Sequence, residues 1–323
     1  MGEGKKPPSS IQVSIGTAAV LGLARIPMTV APTTAYLMLG GRCALNCAFC
    51  AQARGSESGD LFLSRVIWPE YDLSVVVDRL AVAAAQGSIR RLCLQVTVTA
   101  NAFAHTEAIL RTVRERVALP FDVAILPRNL DQVRRLLEAG ADHIGFGLDA
   151  ACERVFRRVK GGDWNRSLAL IEETARVFPR RAALHLIVGL GETEREMIGR
   201  IQWAADRGLV VGLFAFTPVR GSRMAHDPPP PLAAYRRIQA ARWLIMHGRA
   251  RAEEMVFDAQ GRLRRLPAPL PPDGVPFQTS GCPDCNRPFY NEQPGGPLYN
   301  YPRPLTADEV ARAIAEMEVE IGC

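Results

Sequence analysis

Between residues 36 and 246 this chain alternates between short apolar runs and longer amphipathic ones, and that rhythm narrows the folds open to it. Strand-like runs fall at 36–39, 92–96, 121–126, 143–146, 183–188 and 210–216. Helix-like stretches follow at 71–85, 104–117, 129–140, 151–159 with 167–177, 193–208 and 232–246. Asn129 suits a helix N-cap, and Thr193 with Glu196 makes a capping box. Such alternation predicts parallel strands joined by right-handed helical crossovers. Six units fall short of a complete (β/α)8 barrel, so the expected fold is α/β, a partial (β/α)6 TIM-type barrel over 35–250. An N-terminal extension covers 1–34, with its first ten residues polar and frayed. A C-terminal cysteine-containing segment covers 251–323. In barrels of this kind the chemistry sits in the loops after the strand C-termini.

The loop after the first strand reads GGRCALNCAFCAQAR and holds Cys43, Cys47 and Cys50, spaced C-x3-C-x2-C. Three thiolates can hold three irons of a [4Fe–4S] cube and leave the fourth iron without a protein ligand. A structural zinc site would want four closed ligands, and no nearby histidine completes that set. Phe49, just before the third cysteine, can turn its ring to a bound nucleobase. A second constellation is the pair Cys282 and Cys285, among prolines and glycines that suit a tight knuckle with peptide N–H groups aimed at metal-bound sulfur. A pair alone also fits a zinc knuckle or a redox dithiol. Cys323 makes it three if the terminal helix folds back. That helix is opened by the capping box of Thr306 and Glu309 and expected to stop at Gly322. Ser280 is one possible oxygen donor for a fourth position. Cys93 and Cys152 read as small buried hydrophobes in a strand and a helix.

Eight cysteines at short spacings in 323 residues fit metal ligation in a reducing compartment better than a disulfide framework, so a cytoplasmic location is expected. Hydrophobic residues make up 48% of the chain, enough for a large core. The net charge of +6 is modest, and arginines such as Arg134, Arg135, Arg236 and Arg237 read as solvated helix faces. Nucleic-acid binding is not expected, although an acidic protein partner would be attracted. No apolar run reaches the roughly 18 residues of a membrane span, and no secretory leader is expected.

The cysteine loop resembles the signature of the radical S-adenosylmethionine (radical SAM) superfamily. The resemblance implies that S-adenosylmethionine chelates the open iron through its amino and carboxylate groups. An electron from the cluster then yields methionine and a 5′-deoxyadenosyl radical, which removes a hydrogen from an unactivated carbon. The stretch IVGLGET (187–193) resembles the fifth-strand motif near the adenine, where Gly189 and Gly191 would let backbone approach the ring; a plain strand-to-helix turn is the other reading. FTPVRGS (216–222) resembles the turn after the sixth strand, and GLD (147–149) a fourth-strand segment whose aspartate contacts the ribose. Asp149 equally suits a helix cap. The Gly-Gly-Glu motif that often holds the cofactor's amine is replaced by QVTVT (95–99), where Thr97 or Thr99 could substitute.

CAFCAQAR (47–54) is similar to the loop of biotin synthase. That enzyme holds a sacrificial [2Fe–2S] cluster with strand cysteines; here Cys93 stands where one is expected, but Ala124 and Ala183 replace others. The stretches LSRVIWP (63–69), GCPDCNRPFYNE (281–292), the following Pro-Gly-Gly and YNYP (299–302) look like a subunit of the two-component lipoyl synthase. That resemblance implies sulfur insertion into a protein-bound octanoyl chain. A second [4Fe–4S] cluster at Cys282, Cys285 and Cys323 would be the sulfur source. The implied partners are a second radical SAM subunit, an octanoylated acidic carrier domain and an electron donor such as ferredoxin. The competing readings are another biotin synthase-like radical SAM enzyme acting on a small molecule, and a non-catalytic zinc or iron–sulfur protein.

Overall fold

The computed structural model describes residues 7–288, 290–292 and 295–322. The chain starts with β1 (Ser10–Val13) and α1 (Ile15–Val20), then β2 (Thr34–Leu39). A hairpin of β3 (Phe62–Leu63) and β4 (Val66–Ile67) and a short β5 (Glu70–Asp72) precede α2 (Leu73–Ala85). Regular alternation follows: β6 (Arg91–Val96), α3 (Ala102–Arg114), β7 (Phe121–Ala124), α4 (Leu130–Glu138), β8 (His143–Asp149), α5 (Glu153–Val159), α6 (Trp164–Val177), β9 (Ala182–Val188), α7 (Glu194–Ala205), β10 (Val210–Ala215) and α8 (Leu232–Met246). Then come β11 (Val256–Phe257), β12 (Leu263–Leu266), α9 (Ala307–Glu316) and β13 (Glu320–Ile321). Strands β2, β6, β7, β8, β9 and β10 pair in parallel in that order, so the expected partial barrel is the observed one. Among the described residues no helix is long and apolar enough to cross a membrane.

Strand alternation sorts the barrel's two faces. Leu37, Leu94, Val123, Ile144, Leu184 and Val211 are fully buried in the core shared with helix residues such as Leu80, Ile109, Leu136, Ile198 and Leu244. Burying each such side chain stabilises the fold by about 1.5–3 kcal/mol. The alternate positions form rows across the inner face. Tyr36, Cys93, Asp122 and His143 are neighbours in one row. Met38, Gln95, Ala124, Gly145 and Ala183 form the next. Complete barrels fill such rows with bulky branched residues; here alanine and glycine in the second row leave the centre hollow.

Three local expectations need correction. Ser10, placed in the frayed start, begins β1, which pairs antiparallel with both β2 and β5. Helix α9 has the expected Thr306–Glu309 capping box but ends at Glu316. Glu318 takes a left-handed turn (φ 49°) and the chain becomes β13 beside β12, so Gly322 is not the helix stop. Arg236 and Arg237 are buried, not solvated. Arg236 donates to the Tyr299 carbonyl (2.7 Å) and pairs with Glu316 (3.1 Å); Arg237 pairs with Glu194 and donates to the Met317 carbonyl (2.7 Å). They lie inside because α8 packs against both α7 and α9, and their carbonyl and carboxylate partners make burial tolerable.

The open barrel leaves β10 as an edge strand, whose bare peptide groups must find partners. Side chains supply them. Ser280 accepts the Leu213 N–H (2.9 Å), Arg287 donates to the Leu213 carbonyl (3.1 Å), Asn291 to that of Ala215 (2.8 Å) and Arg242 to that of Val211 (2.8 Å). The same segment reaches across to the other side of the opening. Asp284 accepts from the hydroxyls of Thr33 (2.6 Å) and Thr34 (3.0 Å), and Arg91 Nε donates to the Pro283 carbonyl (2.7 Å). The C-terminal segment is therefore the seam of the barrel, and it carries Cys282 and Cys285 inside.

Candidate functional site

The first cysteine group sits on a loop that its own neighbours lock. Arg42 donates to the carbonyls of Ala51 (2.9 Å) and Ser58 (2.7 Å) and pairs with Asp60 (2.6 Å). The Cys43 N–H bonds the Gln52 carbonyl (2.8 Å), and the Ala48 N–H bonds the carbonyl of Val159 at the end of α5 (2.6 Å). Two peptide N–H groups, from Leu45 (3.4 Å) and Val98 (3.3 Å), point at the Cys43 sulfur, as they do at metal-bound thiolates. The Cys47 and Cys50 thiols lie near enough to feel Cys43 and Asp149. Burial pushes Cys47 up to about 12 and Cys50 to about 11. A cation bound to the sulfurs would take the protons' place. The residues fit a three-thiolate cluster.

Those raised thiols carry a pH signature. In the unfolded chain they ionise near their ordinary 9.0. Their contribution to the stability of the metal-free chain is complete below about pH 9 and is lost as pH rises through about 11 and 12. The thermal midpoint of the metal-free chain should fall between pH 9 and 11, and less steeply in the Cys47→Ala/Cys50→Ala double variant. Equal slopes would refute this.

The remaining predicted residues fall into two sets. Phe49, Cys50 and Asp149 border one cavity of about 1020 Å³. Asp149 does not cap a helix: Cys152 holds the N-cap position of α5. Asp149 adopts φ 67° and its carboxylate pairs with the buried Lys160 ammonium (2.6 Å). Burial would lower Lys160, but Asp149 and Cys47 outweigh it and hold the ammonium charged. Nothing in the sequence marked Lys160, whose role comes from the fold of α5. Thr97, Gly189 and Gly191 do not border the cavity. The Thr97 hydroxyl donates to the Leu39 carbonyl (3.3 Å). Gly189 and Gly191 take left-handed φ of 100° and 106°; a Cβ on Gly189 would meet Pro230 at 2.9 Å and one on Gly191 would collide with the Arg158 guanidinium.

Cys282 and Cys285 border the same cavity at its opposite end, and Cys93 joins them. Cys93, expected as a buried hydrophobe, faces inward because its neighbours in register, Tyr36 and Asp122, do. Tyr36 accepts the Arg287 N–H (2.9 Å), and its hydroxyl shares a hydrogen bond with the Cys285 sulfur (3.5 Å). Asp122 takes both its oxygens to Arg91 (2.9 Å each), accepts from His143 Nδ1 (2.8 Å) and lies within 4.8 Å of the Cys282 sulfur. Burial alone would raise Asp122, but the His143 bond and the Arg91 charge bring it below its ordinary value. Cys152, at the N-cap of α5, is partly buried against the hydrophobic core and does not border the cavity. Cys323 lies outside the described residues.

The side chains of Arg91 and Asp122 are each 7% exposed. Arg91→Met should lower stability by about 3–5 kcal/mol, because breaking a buried pair strands the remaining charge. A chemical-denaturation midpoint unchanged from that of the unaltered chain would contradict it. Midway along the cavity stands His185, between glycines on both flanking strands, with no hydrogen-bond partner among the described residues. Burial and the Arg287 charge push it down to about 4, so it is neutral at physiological pH.

A family model described as the radical SAM superfamily matches residues 37–204. Lipoyl synthase of Oleidesulfovibrio alaskensis is 27% identical over 177 residues, covering 52% of this chain and 56% of that protein. Biotin synthase of Gluconacetobacter diazotrophicus is 25% identical over 252 residues, covering 72% of this chain and 75% of that protein. This chain thus spans only about half the length of the lipoyl synthase it matches. Among solved structures, the FeFe-hydrogenase maturase HydG from Carboxydothermus hydrogenoformans superposes with a TM-score of 0.56 at 15% identity, over 90% of this chain and 57% of that one. Methylornithine synthase (PylB) does so at 0.52 and 13% identity, over 67% and 62%. These two likenesses bear on the fold alone.

Proposed function

This chain belongs to the radical SAM superfamily, as an enzyme related to lipoyl and biotin synthases, and on that premise we propose that it inserts sulfur into a protein-bound octanoyl group as one subunit of a two-component lipoyl synthase. The family carries a [4Fe–4S] cluster that binds S-adenosylmethionine, and when bound these supply the electron and the adenosyl radical for removing a hydrogen from carbon. Cys43, Cys47 and Cys50 would hold that cluster, with the Leu45 and Val98 N–H groups steadying one sulfur. Phe49 and Asp149 would meet the nucleoside, and the ion pair with Lys160 holds the Asp149 carboxylate in place.

The observation that carries the proposal is that Cys50 of the first cysteine group borders the same cavity as Cys282 and Cys285. A chain threaded between them meets the radical source on one side and a sulfur source on the other. Cys282 and Cys285 would hold the second cluster, which is consumed as the sulfur donor and so is a substrate of the reaction. Ala124, Gly145 and Ala183 keep the path open for an alkyl chain. Ile26, Met28 and Ile67, all exposed, border it with apolar surface. The biotin reading loses support because Ala124 and Ala183 bring no sulfur to that wall. The partner subunit, an octanoylated acidic carrier drawn by the net charge of +6, and a ferredoxin-like electron donor belong to the same proposal.

The test is an anaerobic single turnover with octanoylated carrier peptide and the partner subunit. Thiolated octanoyl product is expected alongside 5′-deoxyadenosine. Deoxyadenosine without any thiolated product would count against the proposal.

A further inference from the structure

We propose that the floor of the cavity is an iron–sulfur site whose third thiolate is Cys93, joining Cys282 and Cys285. The inference rests on the reading that a second cluster sits at this end of the cavity, and it puts the strand cysteine Cys93 in one set with the seam pair, in place of Cys323. Three adjacent strands present Tyr36, Cys93 and Asp122 side by side in register on the inner face. Tyr36 holds the Cys285 sulfur (3.5 Å), and Asp122 lies within 4.8 Å of that of Cys282. The sulfur between these two anchors is that of Cys93. One row of the barrel wall and one turn of the seam thus bring three thiols together, each bordering the cavity.

The knuckle is built to stay there. Asn286 accepts the Thr33 N–H (3.0 Å) and donates to the Ala31 carbonyl (2.9 Å). Gly281, at φ 127°, lies against Gly212 of β10, a glycine-on-glycine approach. The surroundings suit an anionic occupant. The Gln95 amide donates to the Cys93 sulfur (3.0 Å). The Arg287 guanidinium lies over Phe214 (3.8 Å to the ring centroid), beside Cys285, and is paired with no carboxylate among the described residues. Its charge is balanced once thiolates and sulfides occupy the floor. For a fourth position, His143 and Asp122 offer nitrogen and oxygen within 4.8 Å of the Cys282 sulfur. Ser280 also borders the cavity and accepts the Leu213 N–H (2.9 Å). Ile321 and Gly322 are held to β12 and neither borders the cavity.

The experiment uses the full chain with Cys43, Cys47 and Cys50 changed to alanine, so that only the floor can take up metal. It is reconstituted anaerobically with ferrous iron and sulfide and examined by Mössbauer spectroscopy and iron counting. About four irons per chain are expected. Adding Cys93→Ala should reduce them to less than about a tenth, as loss of one ligand dismantles the set, while adding Cys152→Ala or Cys323→Ala should change nothing. Far-UV circular dichroism confirms the fold of each variant. Cys93→Ser, which keeps the side-chain shape, should either lose the cluster or shift its Mössbauer parameters. Full retention of an unaltered cluster in both Cys93 variants, or its loss in Cys323→Ala alone, overturns the Cys93 assignment and leaves the proposed function standing. No iron in the parent variant, or a single tightly held zinc there, overturns both.

Discussion

Cys47→Ala is expected to leave a folded chain that no longer cleaves S-adenosylmethionine. Cys47 is one of three sulfurs held by a loop whose shape depends on Arg42, on the Cys43–Gln52 bond and on the tie to Val159, none of which the substitution touches. Ligands of one cluster act as a unit, so losing one removes most of the function of all, a fall of more than about 10³-fold. The measurement is 5′-deoxyadenosine formed per chain under strong reductant. A rate within tenfold of the unaltered chain would remove the loop from the mechanism. Iron at the floor should survive, because Cys282 and Cys285 are positioned from the other end of the barrel by Tyr36, by the Arg91 bond to the Pro283 carbonyl and by the seam.

Ala183→Leu should separate cofactor cleavage from substrate conversion. Ala183 stands on the inner face of β9 beside Gly145, where its methyl group borders the cavity. Leucine there extends into open space, so stability should move by less than about 1.5 kcal/mol. Both cysteine groups keep their supports, and deoxyadenosine should still form. The substrate chain, however, loses its path between them. Displacement of a reacting atom by about 1 Å can cost on the order of 10²-fold, and an obstruction costs at least that. The diagnostic quantity is the ratio of thiolated product to deoxyadenosine in one turnover, which should fall at least as far. An unchanged ratio would mean that the substrate does not pass between the two cysteine groups.

Features decided by neighbours along the chain could be read directly. The six strands lie within a few residues of their expected places, and both capping boxes form as written. The first cysteine loop follows the first barrel strand, at the catalytic end. Asp149 was legible as a candidate, but only its left-handed φ and its bond to Lys160 decided between a cap and a cavity role. Cys93 could have been placed inward by asking which strand positions share its face, since Tyr36 and Asp122 are the polar members of otherwise apolar strands. Arg236 and Arg237 carried no sign of burial, because their partners lie 63 and 80 residues away at Tyr299 and Met317.

From its residues alone this chain determined an α/β barrel of six parallel strands and a loop of three thiolates able to leave an iron open. Both follow from periodicity, capping and spacing, which act over a few residues. Only the tertiary structure decided that the second cysteine pair belongs inside the barrel, on the same cavity as Cys50. That placement depends on an edge strand whose bare peptide groups draw in a segment far along the chain, with Cys285 reaching Tyr36 across 249 residues. Contacts of that separation arise from closing an open sheet, and no local pattern encodes which segment will close it.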